Sequence, residues 1–316
     1  MRIVFMGTPD FAVNTLESII NAGHEVLLVV TQPDKAKGRG KKLIFSPVKE
    51  TALKYNLDVA QPKRVKEEGF VERLTLLAPD VIVVVAYGQI LPESILNIPR
   101  YGCINVHASL LPEYRGAAPI QWAVIDGLKE TGVTTMYMDK GLDTGDIIDQ
   151  KIITIDENET GGSLFDRLAV LGGDIIVETL EKIVNGTATR TKQNDDLSSY
   201  AKMLSKDMGN LDFSKDAVVL ERLIRGLNPW PSAYTKLYGK MLKVFAADVI
   251  NEDEIIKIDG GLSSPGCIVA VEKKSFTVRC GNGGLAITSL QLEGKKRMDT
   301  AAFMLGYIIE TGILLG

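Results

Sequence analysis

Asn105 and His107 stand two residues apart in the run Ile104-Asn105-Val106-His107. The run alternates apolar and polar residues, and successive side chains of a strand point to opposite faces. Asn105 and His107 therefore share one face, while Ile104 and Val106 enter the sheet. A carboxamide donor beside an imidazole suits acyl-type chemistry, because the amide can hold a developing oxyanion while the ring moves a proton. The same spacing also fits a histidine that bonds locally and an asparagine that caps a strand end. The chain has 2 histidines. The other, His24, follows a helix end in Asn21-Ala22-Gly23-His24-Glu25, where an imidazole gains from the helix dipole and a structural role suffices.

Farther along, residues 139–148 read Asp-Lys-Gly-Leu-Asp-Thr-Gly-Asp-Ile-Ile, a tight loop beyond the predicted strand Val133–Met138. Asp143, between Leu142 and Thr144, could orient an imidazole and stabilise its charged form. Asp139, Asp143 and Asp146 equally suit ordinary turn aspartates, and spacing without a partner favours that reading. Lys35, Lys37, Arg39, Lys41 and Lys42 crowd one stretch with Gly38 and Gly40. This composition predicts a mobile basic loop rather than a helix or strand. Such a run is commonly a solvated face, yet it also suits a polyanion, because phosphate contacts release counterions. Neither G-x-x-x-x-G-K-[ST] nor G-x-G-x-x-G is present, and Pro9 removes a donor that a dinucleotide loop would need. The 3 cysteines, Cys103, Cys267 and Cys280, lie far apart. They suit a reducing compartment and neither a disulfide framework nor a zinc site, and no metal is expected.

The elements that must position these groups follow from the apolar pattern. Arg2–Met6, Val26–Val30, Val59–Ala60 and Val81–Ala86 read as short buried strands, and residues 10–22, 48–55 and 65–77 as the helices between them. Alternating strands and helices predict a doubly wound α/β sheet, rich in parallel pairs and covered on both faces. In such sheets, ligands lie beyond the carboxyl ends of the strands, which is where Ser109-Leu110-Leu111-Pro112 follows His107. Ile152–Ile155 adds a strand and Ser163–Ile183 a long helix. The polar stretch from Gly186 to Lys206 predicts a surface linker. After a helix at Ala217–Arg225, the strands Ala233–Leu237, Met241–Val249, Gly266–Val271, Ser275–Cys280 and Gly284–Leu292 predict a small β-barrel without intervening helices. The expected domains are thus 1–185, a linker 186–208, and 209–316.

A length of 316 residues favours two domains. Hydrophobic residues at 45% and charged residues at 24% exclude disordered and fibrous classes. A net charge of −4 excludes a uniformly basic coat protein but not a local basic patch. No signal-peptide pattern or membrane-spanning run is read, and the expectation is a cytoplasmic protein away from membranes.

These residues resemble the methionyl-tRNA formyltransferases over nearly the whole chain. The specific stretches are 5–12 (Phe-Met-Gly-Thr-Pro-Asp-Phe-Ala), Gln32-Pro33-Asp34 with residues 38–42, 85–92 (Val-Ala-Tyr-Gly-Gln-Ile-Leu-Pro), 103–107 with 109–112, 115–120, and 141–146 (Gly-Leu-Asp-Thr-Gly-Asp). The Asn-x-His…Asp set marks the broader formyltetrahydrofolate-using superfamily. The basic stretch, Asn228-Pro229-Trp230-Pro231 and the C-terminal strands narrow it to the enzymes of transfer RNA. Ala108 departs from the glycine often found after the histidine, which bears on the shape of that turn.

The resemblance implies a Rossmann-like formyltransferase domain, a linker and an OB-like barrel. It implies transfer of the formyl group of 10-formyltetrahydrofolate to the α-amine of methionyl initiator tRNA by a monomer that needs no metal. The catalytic roles fall to Asn105, His107 and Asp143: a donor to the oxyanion, a proton relay to the leaving folate nitrogen, and a carboxylate that holds the ring and takes the amine proton. Tyr87, Gly88, Gln89, Ile90 and Leu91 with Ser109, Leu110, Leu111 and Pro112 match the folate-contacting stretches. Lys35, Lys37, Arg39, Lys41 and Lys42 are the expected tRNA contacts. Competing readings are a sugar-amine formyltransferase, an inert RNA-binding module on the same scaffold and, with its glycine fingerprint missing, a nicotinamide dehydrogenase.

Overall fold

The apolar runs of the first half become the strands of one sheet. In the computed structural model, which describes residues 1–37, 42–261 and 263–316, the elements follow the chain as β1 (Arg2–Gly7), α1 (Phe11–Asn21), β2 (Glu25–Val30), β3 (Lys35–Lys37), β4 (Lys42–Ile44), α2 (Pro47–Lys54), β5 (Val59–Ala60), α3 (Glu68–Leu77), β6 (Val81–Val85), α4 (Glu93–Leu96), β7 (Cys103–His107), β8 (Arg115–Gly116), α5 (Pro119–Ile125), β9 (Glu130–Tyr137), β10 (Ile147–Thr154), α6 (Gly161–Val184) and β11 (Tyr200–Ala201). Then come α7 (Ala217–Gly226), β12 (Ala233–Leu237), β13 (Lys240–Ile250), α8 (Glu252–Asp259), β14 (Ile268–Val271), β15 (Phe276–Arg279), β16 (Gly284–Leu292), β17 (Met298–Asp299) and α9 (Thr300–Met304). The chain divides into two compact units. One holds Met1–Pro119, Glu130–Thr154 and Phe165–Ala201, the other Ile120–Lys129, Ile155–Leu164 and Lys202–Gly316.

The first unit is built on a seven-stranded sheet in the order β10-β9-β7-β6-β1-β2-β5. The strands from β5 to β7 pair in parallel, as their helical crossovers require. Val81–Val85 is buried at every position, which is what a continuous Val/Ile run achieves when both faces are covered. Val4, Met6, Leu28, Val30, Ile82, Val84 and Cys103 pack with Leu74 of α3 and Ile95 of α4. On the opposite face, the rings of Phe11 and Phe165 meet edge to face at 5.4 Å between centroids, and a Cβ at Gly172 of α6 would stand 3.3 Å from Val106.

Several expectations change here. The far edge is not parallel: β9 pairs antiparallel with β7 and β10 antiparallel with β9; for the second pair the loop 138–146 contains no helix to carry the chain back across the sheet. Strand β10 is twice the length expected, since Asp149, Gln150 and Lys151 interrupt its apolar residues and leave no continuous run to read. Lys35–Lys37 and Lys42–Ile44 pair as an antiparallel hairpin, where the sequence predicts no strand. The polar stretch expected as a linker carries β11, which pairs with β8, and Thr191, which bridges Ile147.

The second unit contains a six-stranded sheet ordered β12-β13-β16-β15-β14, with β17 on β16. Its inward residues, among them Val244, Phe276, Val278, Ile287 and Leu290, form one core with Leu220 and Ile224 of α7. All strand pairs within it are antiparallel. Among the described residues β12 and β14 are not paired with each other, so the observed architecture is an antiparallel sheet. Two helices appear where none was expected: α8 between β13 and β14, and α9 after β17. Helix α8 buries only Ile255, too little for an apolar stripe. Its sequence signal lies in its ends instead: Asn251 Oδ1 accepts Glu254 N at 2.9 Å, and Gly260 stops it at φ 69°.

Candidate active site

Strand β7 holds the candidate residues. Asn105 pairs with Val84 of β6 and Met136 of β9, and His107 pairs with Thr134. Cys103 belongs to the cluster under α3 and α4, so by alternation Asn105 and His107 continue along that face. Both are buried, at 8% and 7% exposure. The Asn105 carboxamide makes no hydrogen bond among the described residues, which leaves its donors for a bound group. His107 Nε2 lies 3.0 Å from the Tyr114 carbonyl oxygen. A carbonyl only accepts, so Nε2 carries the proton of the neutral ring and Nδ1 is left as the basic nitrogen. Nδ1 faces Asp143 Oδ2 at 3.8 Å.

That contact answers the question left by the three loop aspartates. Asp139 does turn work, its Oδ1 accepting from Gly141 N at 2.9 Å and Thr144 Oγ1 at 2.7 Å. Asp143 turns inward, with a side chain 13% exposed. Its Oδ2 also accepts from Gly116 N at 2.8 Å. Its backbone is left-handed, φ 54°, a conformation that disfavours a side chain by about 1–2 kcal/mol. The loop leaves β9 beside the start of β7, where Met138 N donates to Cys103 O at 2.8 Å, yet it reaches His107 at the far end of that strand. It therefore folds back along the face of Asn105 and His107. Two glycines permit this. A Cβ at Gly145 would sit 1.7 Å from Tyr137 O, and one at Gly116, φ 116°, would sit 2.7 Å from Ala201 O.

The turn after His107 is equally fixed. Thr134 Oγ1 donates to Ser109 O at 2.6 Å and accepts from Leu111 N at 3.1 Å. Gln150 Nε2 donates to Leu111 O at 2.9 Å, and Ser109 Oγ donates to Glu113 O at 2.7 Å. Ser109 and Leu111 are thus spent on holding the turn, and Leu110 and Pro112 are its partly exposed members. Ala108 has no left-handed backbone, so alanine in place of the glycine often found there leaves the turn's shape intact.

The other expected stretch leaves β6, the strand beside β7, at the same edge. Tyr87 is buried, and its hydroxyl has no hydrogen-bond partner among the described residues; burial pushes its pKa up. Its carbonyl accepts from Thr8 Oγ1 at 3.0 Å and Gln32 Nε2 at 3.2 Å. Gln89 accepts from Val65 N at 3.0 Å, and Leu91 is buried. Gly88 is exposed with φ 88°, and Ile90 is 84% exposed. Within 87–91, Gly88 and Ile90 are the exposed members.

Of the basic positions, Arg39 and Lys41 lie outside the described residues, and Lys35, Lys37 and Lys42 are described only as members of the hairpin. The ends of that hairpin are tied down. Lys49 Nζ donates to Asp34 Oδ2 at 2.5 Å and Gln61 Oε1 at 2.8 Å, and lies 3.9 Å from the Phe45 ring centroid. The Lys49 ammonium, with Gln61, holds the Asp34 carboxyl below its usual range.

Sequence reading missed Tyr114, Gly116, Thr134, Gln150 and Gln193 as parts of the site. Gly116 lies within the stretch 115–120 that carries the resemblance, but the other four have no motif of their own. Among the described residues, no group of three or more His, Cys, Asp or Glu could hold a metal ion, and no helix is long and apolar enough to cross a membrane.

The chain matches the formyl transferase family model over residues 1–180 and the formyl transferase C-terminal domain over 203–307. It is 58% identical over 316 residues to a methionyl-tRNA formyltransferase of Lachnospira eligens, covering 100% of both chains. It is 55% identical over 312 residues to one of Agathobacter rectalis, covering 99% of this chain and 98% of that protein. Among solved structures it resembles the N-formyltransferase of Helicobacter canadensis in complex with folinic acid and dTDP-3-aminofucose. That likeness has a TM-score of 0.64 at 20% identity, covering 90% of this chain and 98% of that one.

Proposed function

The chain belongs to the formyl transferase family, in its methionyl-tRNA branch, and from that premise we propose how its residues divide the work. The reaction moves the formyl group of 10-formyltetrahydrofolate to the α-amine of methionine esterified to initiator tRNA, giving the N-formylmethionyl-tRNA used to begin translation. The donor supplies a formyl group on a nitrogen that can leave. A bond forms between the amine nitrogen and the formyl carbon, the bond from that carbon to the folate nitrogen breaks, the amine loses a proton, and the folate nitrogen gains one.

Asn105 donates to the formyl oxygen as it gains negative charge. His107 handles the proton at Nδ1, because its Nε2 proton is bonded to Tyr114. Asp143 takes the amine proton and stabilises the imidazolium beside it. The observation that carries this reading is the meeting of His107 Nδ1 and Asp143 Oδ2 at 3.8 Å, on the face that also bears an uncommitted carboxamide. Tyr87 to Leu91 and Ser109 to Pro112 hold the folate, chiefly through backbone groups, Ile90, Leu110 and Pro112. Lys35, Lys37, Arg39, Lys41 and Lys42 hold the acceptor end of the tRNA. On this reading residues 1–185 carry the chemistry and 186–208 tether them to the tRNA-binding residues 209–316, in a cytoplasmic monomer.

Incubation with 10-formyltetrahydrofolate and charged initiator tRNA is expected to block the methionine amine. Charged elongator tRNA should react far more slowly and a nucleotide-linked amino sugar not at all. Formylation of the sugar without formylation of the tRNA would overturn the substrate assignment.

A further inference from the structure

Gln193 lies in the polar stretch that sequence reading takes for a surface linker, yet its side chain is committed to the candidate active site. Its Nε2 donates to Asp143 O at 2.9 Å and to Gly145 O at 2.8 Å. Its Oε1 accepts from Arg115 Nε at 3.0 Å and Arg115 NH2 at 2.8 Å. One carboxamide thus uses both hydrogens and its oxygen on two segments. The residue after Arg115 is Gly116, whose N–H holds the Asp143 carboxylate at 2.8 Å. Gln193 therefore joins the backbone of the Asp143 loop to the segment that grips the Asp143 side chain.

The neighbouring backbone serves the same end. Tyr114 N donates to Ser199 Oγ at 2.8 Å, Arg115 N to Ser199 O at 2.9 Å and Ala117 N to Ala201 O at 2.9 Å. Tyr114 in turn supplies the carbonyl that fixes the His107 ring. Arg115 is further bound by Asp195 Oδ1 at 2.8 Å, and the arginine side chain is 12% exposed.

We infer that Gln193 is a positioning residue for formyl transfer. It clamps the left-handed turn at Asp143 so that the carboxylate faces His107 Nδ1, and it acts on the rate through Asp143 alone. This rests on the role given to Asp143 in the proposed function. The clamp needs amide hydrogens on two carbonyls, whereas mere attachment of the linker to Arg115 needs only an oxygen.

The two needs separate under substitution. Gln193→Ala removes both. Gln193→Glu keeps an oxygen for Arg115 and loses the donors to Asp143 O and Gly145 O. Steady-state formylation of charged initiator tRNA is measured for both variants, for Asp143→Ala, and for Asp143→Ala combined with Gln193→Ala. Gln193→Ala and Gln193→Glu are each expected to lower kcat at least 10-fold with the KM of both substrates within about twofold, because small displacements of a reacting group cost rate before binding. In the Asp143→Ala background, Gln193→Ala should change nothing further.

Full activity in Gln193→Glu would overturn the clamp and leave only attachment to Arg115. An equal loss from Gln193→Ala with and without Asp143 would show that the glutamine supports the fold and not the carboxylate, and would also overturn it. Near-normal turnover in Asp143→Ala itself would remove the role of Asp143, a failure of the underlying reading that the two glutamine variants alone cannot produce.

Discussion

At the scale of single residues, the proposed chemistry turns on which atoms of the site are left free. His107 Nε2 donates a hydrogen bond to the Tyr114 carbonyl, which leaves Nδ1 for the proton step of the proposed reaction. Asn105 is 8% exposed, and the proposed reaction uses its carboxamide as a donor to the formyl oxygen. Asn105→Ala is expected to lower kcat by about 10²–10³, the range for loss of one oxyanion donor, with an unchanged thermal unfolding midpoint. Asp143→Asn tests charge apart from shape. An amide oxygen can still accept from Gly116, so the loop should persist while kcat falls by roughly 10²–10⁴, as for loss of acid–base help. Turnover within a few-fold of wild type would show that the carboxylate's charge is not used. The cysteines have no part in this chemistry. Burial pushes Cys103 and Cys280 up to about 12, so neither offers thiolate at pH 8. Alkylation of the folded protein there should label Cys267 before either of them, as peptide mapping can check.

At the scale of elements, the short strands and crossover helices position everything, and these were the most legible parts. Val81–Val85 is read correctly because a β-branched run buried on both faces has few other uses. Asn105 and His107 were legible for a related reason: strand alternation forces two polar residues onto one face. The carboxylate partner was not legible. Asp143 is 36 positions from His107, and only its hairpin, whose antiparallel pairing the sequence did not suggest, brings it back. Gln193 was hidden further, because a polar residue in a polar stretch carries no period.

The Asp143 loop makes a sharp prediction. A methyl group at Gly145 would collide with Tyr137 O, so Gly145→Ala must displace the loop. Loss of kcat of about 10²-fold or more is expected, in line with an ångström-scale shift at a reacting group, with little change in the KM for folate. Helix α8 makes a second. Glu252 in its first turn pairs with Arg279 at 2.6 Å and accepts from Gly283 N at 2.5 Å. The Arg279 bond first, then the Gly283 amide, draws the Glu252 carboxyl down to about 2 from an ordinary 4.5. A depressed folded-state pKa stabilises above the unfolded value and loses that contribution as pH falls through the folded one. Glu252→Gln should therefore melt lower than wild type at pH 7, with the gap closing between pH 4.5 and about 2. A gap independent of pH would show that charge at Glu252 is not what secures α8.

At the scale of the whole molecule, the question is how a chain of net charge −4 engages a polyanion. The acidic excess is uneven. Residues 209–316 hold 13 basic and 12 acidic side chains, and residues 1–208 hold 23 and 28. Within that more acidic part, five of the eight residues from Lys35 to Lys42 are basic. Long-range repulsion from the remaining carboxylates is screened within about 8 Å at physiological salt, so on the proposed reading a locally basic stretch can bind phosphates that the molecule as a whole repels. The Lys49 bonds to Asp34 and Gln61 fasten the residues next to β3, which would limit the entropy lost in the proposed contact with RNA. Each phosphate contact releases counterions, so binding weakens linearly in log salt by about 0.7–0.9 per contact. The KM for charged initiator tRNA should rise steeply between 50 and 200 mM salt, ranges over which such contacts lose affinity by orders of magnitude, while the KM for folate moves little. Replacing Lys35, Lys37, Arg39, Lys41 and Lys42 together by glutamine should raise the tRNA KM at low salt and flatten its salt dependence. If the slope stays as steep as in wild type, the phosphate contacts are made elsewhere, and the basic stretch is only a solvated surface.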